Sequence, residues 1–238
     1  MTRLRGVLLD VDGTLIDSND AHAQAWADTF REFGLDISAS RVRPLVGMGG
    51  DKLLPELTGV DVDSARGKAF TSRRSEIFKK TYLPTIRAFR GVHELLNRWK
   101  SEGLRLVVAT SAQREELNAL LEQADLEALI DRTTTSSDAE RSKPDPDIIR
   151  AALDRGRLSA AEAIMLGDTP YDVTAATRAG IATVALRCGG WDDDALRGAI
   201  AIYENPSELL ARYDASPFRG AEDLLQNVSP RTTDTESV

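Results

Sequence analysis

The stretch from Val7 to Thr14 constrains the fold more than any other. An unbroken apolar run, Val7-Leu8-Leu9, ends in two carboxylates one residue apart, Asp10 and Asp12, followed by Gly13 and Thr14. A short apolar run bounded by turn residues suits a strand buried on both faces of a parallel sheet. Side chains at i and i+2 of a strand share a face, so Asp10 and Asp12 can converge on one point. Two carboxylates so placed repel unless a cation or proton lies between them. An Asp-Gly pair alone is ordinary turn chemistry; the residues that end the later apolar runs give it another meaning.

From residue 91 onward strand and helix alternate. Leu104–Ala109, a weaker 130–135, Ala163–Leu166, Ala182–Leu186 and an edge strand at Ile200–Tyr203 read as strands. Helices are expected between them, one opened by Pro146 at its first position and one running Pro170–Ala179. Between residues 17 and 88 no strand is evident. Helix N-cap chemistry at Asp17-Ser18-Asn19-Asp20 precedes a helix closed by Gly34, and helical spacing resumes after the Gly47-Met48-Gly49-Gly50 loop. The alternation argues an α/β fold, a doubly wound parallel sheet, and the helical stretch reads as an inserted cap. The expected organisation is a core of residues 1–16 and 89–213, a helical cap at 17–88, and a tail at 214–238. That tail is expected to be partly disordered, Ser229–Val238 lacking apolar periodicity.

In parallel sheets of this kind, ligands bind beyond the carboxyl ends of the strands. The first strand delivers Asp10 and Asp12 there, the second Thr110-Ser111, the third Lys143, and the fourth Gly167-Asp168 with Asp172 one helical turn on. Singly these read as a helix cap, a surface lysine and a turn; together at successive strand ends they point to phosphoryl transfer. Asp10 can attack phosphorus, and Asp12 can protonate the leaving oxygen and later activate water. A hard cation, magnesium by its preference for oxygen, would be held by Asp10 and Asp168, with Asp172 ligating directly or through water. Thr110, Ser111 and the amides of the following helix would hold phosphate oxygens, and Lys143 would stabilise the charged transition state.

These residues resemble the haloacid dehalogenase-like (HAD) hydrolases, whose motifs stand here in the family's order. They are Asp10-Val11-Asp12-Gly13-Thr14, then Thr110, then Lys143, then Gly167-Asp168-Thr169-Pro170-Tyr171-Asp172. The resemblance covers about residues 5 to 190. It implies a Rossmann-like core with a helical cap, nucleophilic Asp10, acid/base Asp12, magnesium, and a metal bond from the Asp12 main-chain carbonyl. The second aspartate of the first motif favours phosphoester chemistry over dehalogenation. His22, in Asp17-Ser18-x-x-x-His22-x-x-x-Trp26, is similar to the cap entrance of the β-phosphoglucomutase-like subgroup, where a histidine assists the acid/base. That subgroup carries an arginine for a second phosphate where Gly50 stands here, which weakens a mutase reading. Amides at Gly47 and Gly49 could contact a small substrate. Arg74 is a candidate for a substrate's anionic end, the alternative being a solvated helix arginine like its neighbour Arg73.

Composition sets outer limits. Net charge is −8 with no long Lys/Arg block, which argues against nucleic acid as partner. One cysteine and two histidines argue against disulfides and structural zinc. No apolar stretch reaches membrane-spanning length, and the first strand begins too soon for a signal peptide. The expectation is a cytoplasmic phosphatase of a small phosphorylated metabolite, a monomer or weak homodimer. A sugar-phosphate mutase is the alternative, and a non-catalytic phosphometabolite-binding protein a third.

Overall fold

Val7, Leu8 and Leu9 lie in β1 (Gly6–Leu9), a strand buried along its whole length. The structure, a computed structural model, describes residues 3–219; Ser229–Val238 and the rest of the chain beyond 219 lie outside the described residues. In its single six-stranded sheet all strands are parallel, in the order β3-β2-β1-β4-β5-β6. Leu9 stands opposite Val108 of β2 (Arg105–Ala109) and Leu166 of β4 (Ala163–Gly167). The outer strands are β3 (Arg132–Thr134), β5 (Ala182–Leu186) and β6 (Ala201–Tyr203). The strands read from the sequence are all present, and the sheet confirms the α/β doubly wound class.

The period-two geometry of a strand divides these residues between two cores. Val7, Leu9, Leu106, Val108 and Leu166 pack with α5 (Val92–Ser101), α6 (Arg114–Gln123) and α9 (Pro206–Ala211). Leu8, Val107 and Met165 face α7 (Asp147–Gly156) and α8 (Pro170–Arg178) on the other side. Trp99, fully buried on α5, meets the ring of Phe218 at 4.7 Å, so the packed core extends into the first residues of the expected tail.

Between β1 and β2 lie α1 (Asn19–Glu32), α2 (Ala39–Val42), α3 (Gly50–Thr58) and α4 (Ala65–Ile77). They carry their own apolar cluster, centred on Trp26, Phe30, Leu54 and Phe70. Ala25, Ile77 and Phe78 instead pack into the core on the α5 side of the sheet. The chain enters and leaves this helical layer side by side: Asp17 N–H donates to Arg87 O at 3.0 Å and Phe89 N–H to Leu15 O at 2.9 Å. Two local readings change. Pro146 is the N-cap of α7 rather than its first residue, and Ser18, the N-cap of α1, makes no capping bond because its hydroxyl is used elsewhere.

Candidate active site

The central strand β1 lies between β2 and β4, the place in a doubly wound sheet where the strand order reverses and a crevice opens. Asp10 leaves β1 with its N–H donating to Leu166 O at 3.0 Å, which fixes it beside the end of β4. Lys143, expected as a surface residue if taken alone, is fully buried; its Nζ lies 2.6 Å from Asp10 Oδ1 and 2.7 Å from Asp172 Oδ1. Thr14 Oγ1 donates to Asp168 Oδ1 at 2.8 Å and lies 3.1 Å from Asp10 Oδ2. Asn19 Nδ2 donates to the other Asp168 oxygen at 3.0 Å. Asp172 is oriented by the first turn of α8, where Thr169 N–H and Oγ1 both donate to Oδ2, at 3.1 and 2.7 Å. This is a capping box with a charged member.

Two glycines make room for this packing. Gly13 sits at φ +82°, and a Cβ there would lie 2.3 Å from Asp168 Oδ2 and 2.0 Å from Asn19 Nδ2. A Cβ on Gly189 would fall 1.7 Å from Asp168 Oδ2.

Asp12 turns away from this cluster. Its Oδ1 accepts from Ser18 Oγ at 2.5 Å and lies 2.7 Å from His22 Nε2. His22 stacks on Phe78 with ring centroids 4.2 Å apart, and its Nδ1 meets Arg74 Nη2. A guanidinium only donates, so Nδ1 must accept, which assigns the ring proton to Nε2 and makes His22 a donor to Asp12. The other arm of Arg74 bonds Glu116 Oε2 on α6. Arg74 is therefore neither a solvated helix arginine nor a free anion grip: its side chain is 12% exposed and committed to Glu116 and His22. Arg73 beside it is the solvated one, pairing with Glu32.

Charge and burial shift the carboxyls apart. Burial pushes Asp10 up; Lys143 pulls it down, Asp172 and Asp12 push it further, and the balance lies at about 7. Asp168 is raised well above the carboxylate range by burial and then by Asp10 and Asp172. Burial opposes ionisation of Asp12 too, but His22, the Ser18 hydroxyl and Arg74 outweigh it and hold that carboxyl below its usual value. Burial would depress Lys143, yet Asp10 and Asp172 hold it above the ordinary lysine range.

Asp10, Asp168 and Asp172 each offer an oxygen within 4.8 Å of the others, all buried. Fully ionised, the three carboxylates would outnumber the one ammonium of Lys143, and their mutual repulsion is what raises Asp168 and Asp10 when no cation lies between them. An all-oxygen donor set of this kind fits a hard divalent cation. The Asp12 carboxylate is not among the three.

In front of Asp10 lies a cavity of about 550 Å³ between the sheet and the helical layer. Asp10, Asp12, Thr110 and Ser111 line one side, and His22, Gly47, Gly49 and Arg74 the other. Ser111 Oγ is buried there with no hydrogen-bond partner. The structure thus brings the expected residues to one place, with Lys143, Asp168 and Asp172 reaching Asp10 from inside the protein. Sequence reasoning missed Thr14 and Asn19 as supports of Asp168 and Ser18 as a partner of Asp12, having read the last two as helix caps. Glu116 gave no signal, since an acid in the first turn of a helix is ordinary.

A doubly wound sheet whose reversal point gathers a buried lysine and carboxylates under a helical layer defines an α/β enzyme. The sequence matches the haloacid dehalogenase-like hydrolases over residues 7–186, and the chain belongs to that family. It is 30% identical over 205 residues to the validoxylamine A 7'-phosphate phosphatase of Streptomyces hygroscopicus subsp. limoneus, covering 85% of this chain and 94% of that one. It is 29% identical over 185 residues to the pyrophosphatase PpaX of Bacillus velezensis, covering 77% and 83%. Among solved structures, a hydrolase from Pseudomonas syringae matches with a TM-score of 0.82 at 27% identity, covering 89% of this chain and 98% of that one.

Proposed function

We propose that this protein is a magnesium-dependent phosphoric monoester hydrolase that cleaves a small phosphorylated metabolite through an aspartyl-phosphate on Asp10. The observation that carries the reading is the buried Lys143 joining Asp10 to Asp172 beneath a cavity that Asp12, Thr110 and Ser111 also line. Family membership and the phosphatase names of the relatives support it. Those named substrates differ from each other, so they speak for the reaction rather than for one ester.

A carboxylate oxygen of Asp10 attacks phosphorus, and the bond from phosphorus to the ester oxygen breaks. Asp12, ionised in the free enzyme, takes up the proton that a monoanionic phosphate ester brings, gives it to that departing oxygen, then takes one from the water that releases phosphate and regenerates Asp10. His22 and Ser18 aim Asp12 at the cavity, and His22 Nε2–H stabilises its charged form between the two steps. Lys143 stabilises charge on Asp10 and on the phosphoryl group, while Thr110, Ser111 and the amides following them hold phosphate oxygens. Asp10, Asp168 and Asp172, with the Asp12 main-chain carbonyl, would hold Mg²⁺, which when bound offsets phosphate charge. Residues 17–88 act as the cap that closes over the substrate, with Gly47 and Gly49 at its rim. No helix among the described residues is long and apolar enough to cross a membrane; the reading places the enzyme in the cytoplasm, as a monomer or weak homodimer.

The His22–Asp12 contact also suits a sugar-phosphate mutase, but that reaction must grip a second phosphate. Gly50 opens α3 without a side chain to do so, and Lys52 is held by Asp145 and Ser142 O. The test is a screen of phosphorylated metabolites, including β-glucose 1-phosphate, with and without magnesium. Magnesium-dependent release of free phosphate, abolished in Asp10→Asn, is expected. Interconversion of sugar phosphates primed by a bisphosphate, without net phosphate release, would replace this reading by the mutase.

A further inference from the structure

Two successive acids of α6, Glu115 and Glu116, each hold a cation of the helical layer across the cavity. Glu116 lies 2.5 Å from Arg74, both side chains largely buried, and Glu115 lies 2.6 Å from Lys79 at the solvent edge. Of the charged residues lining the cavity beyond Asp10 and Asp12, three are basic (Lys68, Arg74, Lys79) and three acidic (Glu76, Glu115, Glu116). Lys68 has no carboxylate within ion-pair distance among the described residues, but it is exposed, where water and salt screen it. Apart from His22, Thr110 and Ser111, the uncharged polar lining consists of Thr71, Ser72, Ser75 and Gln113, with the Trp26 ring also in the lining. Hydroxyls and an amide near an indole ring suit hydroxyl groups and the apolar face of a polyol.

On the phosphatase reading above, we infer that the cavity selects esters whose leaving group is an uncharged, hydroxyl-rich alcohol, and that Glu116 is the residue setting this preference. Arg74 is the one deeply placed guanidinium in the lining, and Glu116 uses its charge. A leaving group carrying a carboxylate or a second phosphate would find the buried cation of the wall already taken, Arg74 by Glu116. To reach Arg74 it would have to displace a buried pair and leave Glu116 desolvated without a partner, which is strongly unfavourable. The wall therefore discriminates by the cost of breaking a buried pair as well as by fit.

The test compares kcat/KM for a hexose 6-phosphate with kcat/KM for phosphoglycolate and for fructose 1,6-bisphosphate, using p-nitrophenyl phosphate as the common check of chemistry. The wild type should favour the hexose monophosphate by ~10-fold or more, the scale of one charge-assisted contact. Glu116→Gln frees Arg74 and should move that ratio by ~10-fold toward the doubly anionic esters, and taking a ratio cancels any loss common to all substrates. Glu115→Gln, at the solvent edge, should move it the same way by less, and serves if Glu116→Gln does not fold. Hydrolysis of p-nitrophenyl phosphate with a wild-type preference for phosphoglycolate or the bisphosphate would overturn the inference alone, as would ratios unmoved in both variants. No magnesium-dependent release of phosphate from any of these esters would overturn the phosphatase reading and this inference with it.

Discussion

Lys143 carries the electrostatics of the site at the scale of single residues. It is the cation that touches Asp10 and Asp172, and it has no exposure to water. Replacing it by alanine leaves three buried carboxylates with no fixed counter-charge. Lys143→Ala should destabilise the metal-free protein by ~3–5 kcal/mol, as removal of one partner of a buried pair does, and lower turnover by ~100-fold or more through loss of a transition-state charge. Denaturant titration and steady-state assay check the two separately; a fully active, fully stable variant would remove Lys143 from the account. Asp12→Asn should slow departure of a poor leaving group, read as kcat/KM or as a burst, far more than departure of p-nitrophenol, which needs no proton, and equal losses in that step would count against an acid role. Asp10, Asp12, Thr110, Lys143, Asp168 and Asp172 were all legible in the sequence because each follows a strand, and strand ends converge by topology. Arg74 and Glu116 were not. They lie on helices from different layers, and nothing in their local patterns says which way the side chains turn or that they meet.

At the scale of elements, the strand that delivers Asp168 is entered through a tight turn at Ser159–Glu162. Glu162 accepts from Ser159 N–H at 3.0 Å and from its hydroxyl at 2.8 Å, with Arg5 at 3.0 Å. These bonds, the backbone donor first, hold the Glu162 carboxyl down at about 2, below its ordinary 4.5. A carboxyl depressed by folding adds stability that is present above its unfolded value and disappears as pH falls through 4.5 toward 2. Glu162→Gln should therefore lower the melting temperature measurably at pH 7, with the difference from wild type shrinking below about pH 4; a pH-independent difference would contradict the capping argument. The helical layer also touches the sheet layer away from the cavity. Lys52 Nζ lies 2.5 Å from Asp145 Oδ2, and Tyr171 OH donates to Pro44 O at 2.7 Å. The helices of this layer were legible from apolar spacing and the absence of strands. Their contacts with the core were not, because they join residues some 90 or more apart and leave no periodic trace.

The whole molecule sets an α/β framework around a cluster of three buried acids and one lysine, and on the proposed reading its stability should depend on a cation. Magnesium that binds the folded chain alone must raise its melting temperature, by ~2.7 kcal/mol of added stability at a hundredfold excess over the dissociation constant. For a domain of this size that amounts to several degrees. Asp168→Asn removes one of the repelling carboxylates, so it should stabilise the metal-free protein while abolishing the magnesium shift; a shift of undiminished size in that variant would place the cation elsewhere. The central claim is that Asp10 becomes covalently phosphorylated while Asp12 serves both proton transfers. Its most direct test is intact-protein and peptide mass spectrometry of Asp12→Asn mixed with magnesium and p-nitrophenyl phosphate. Attack needs no acid with this leaving group, while hydrolysis of the intermediate lacks its base, so one phosphoryl group should accumulate on Asp10. Release of p-nitrophenol with no adduct, or an adduct on another residue, would contradict the account.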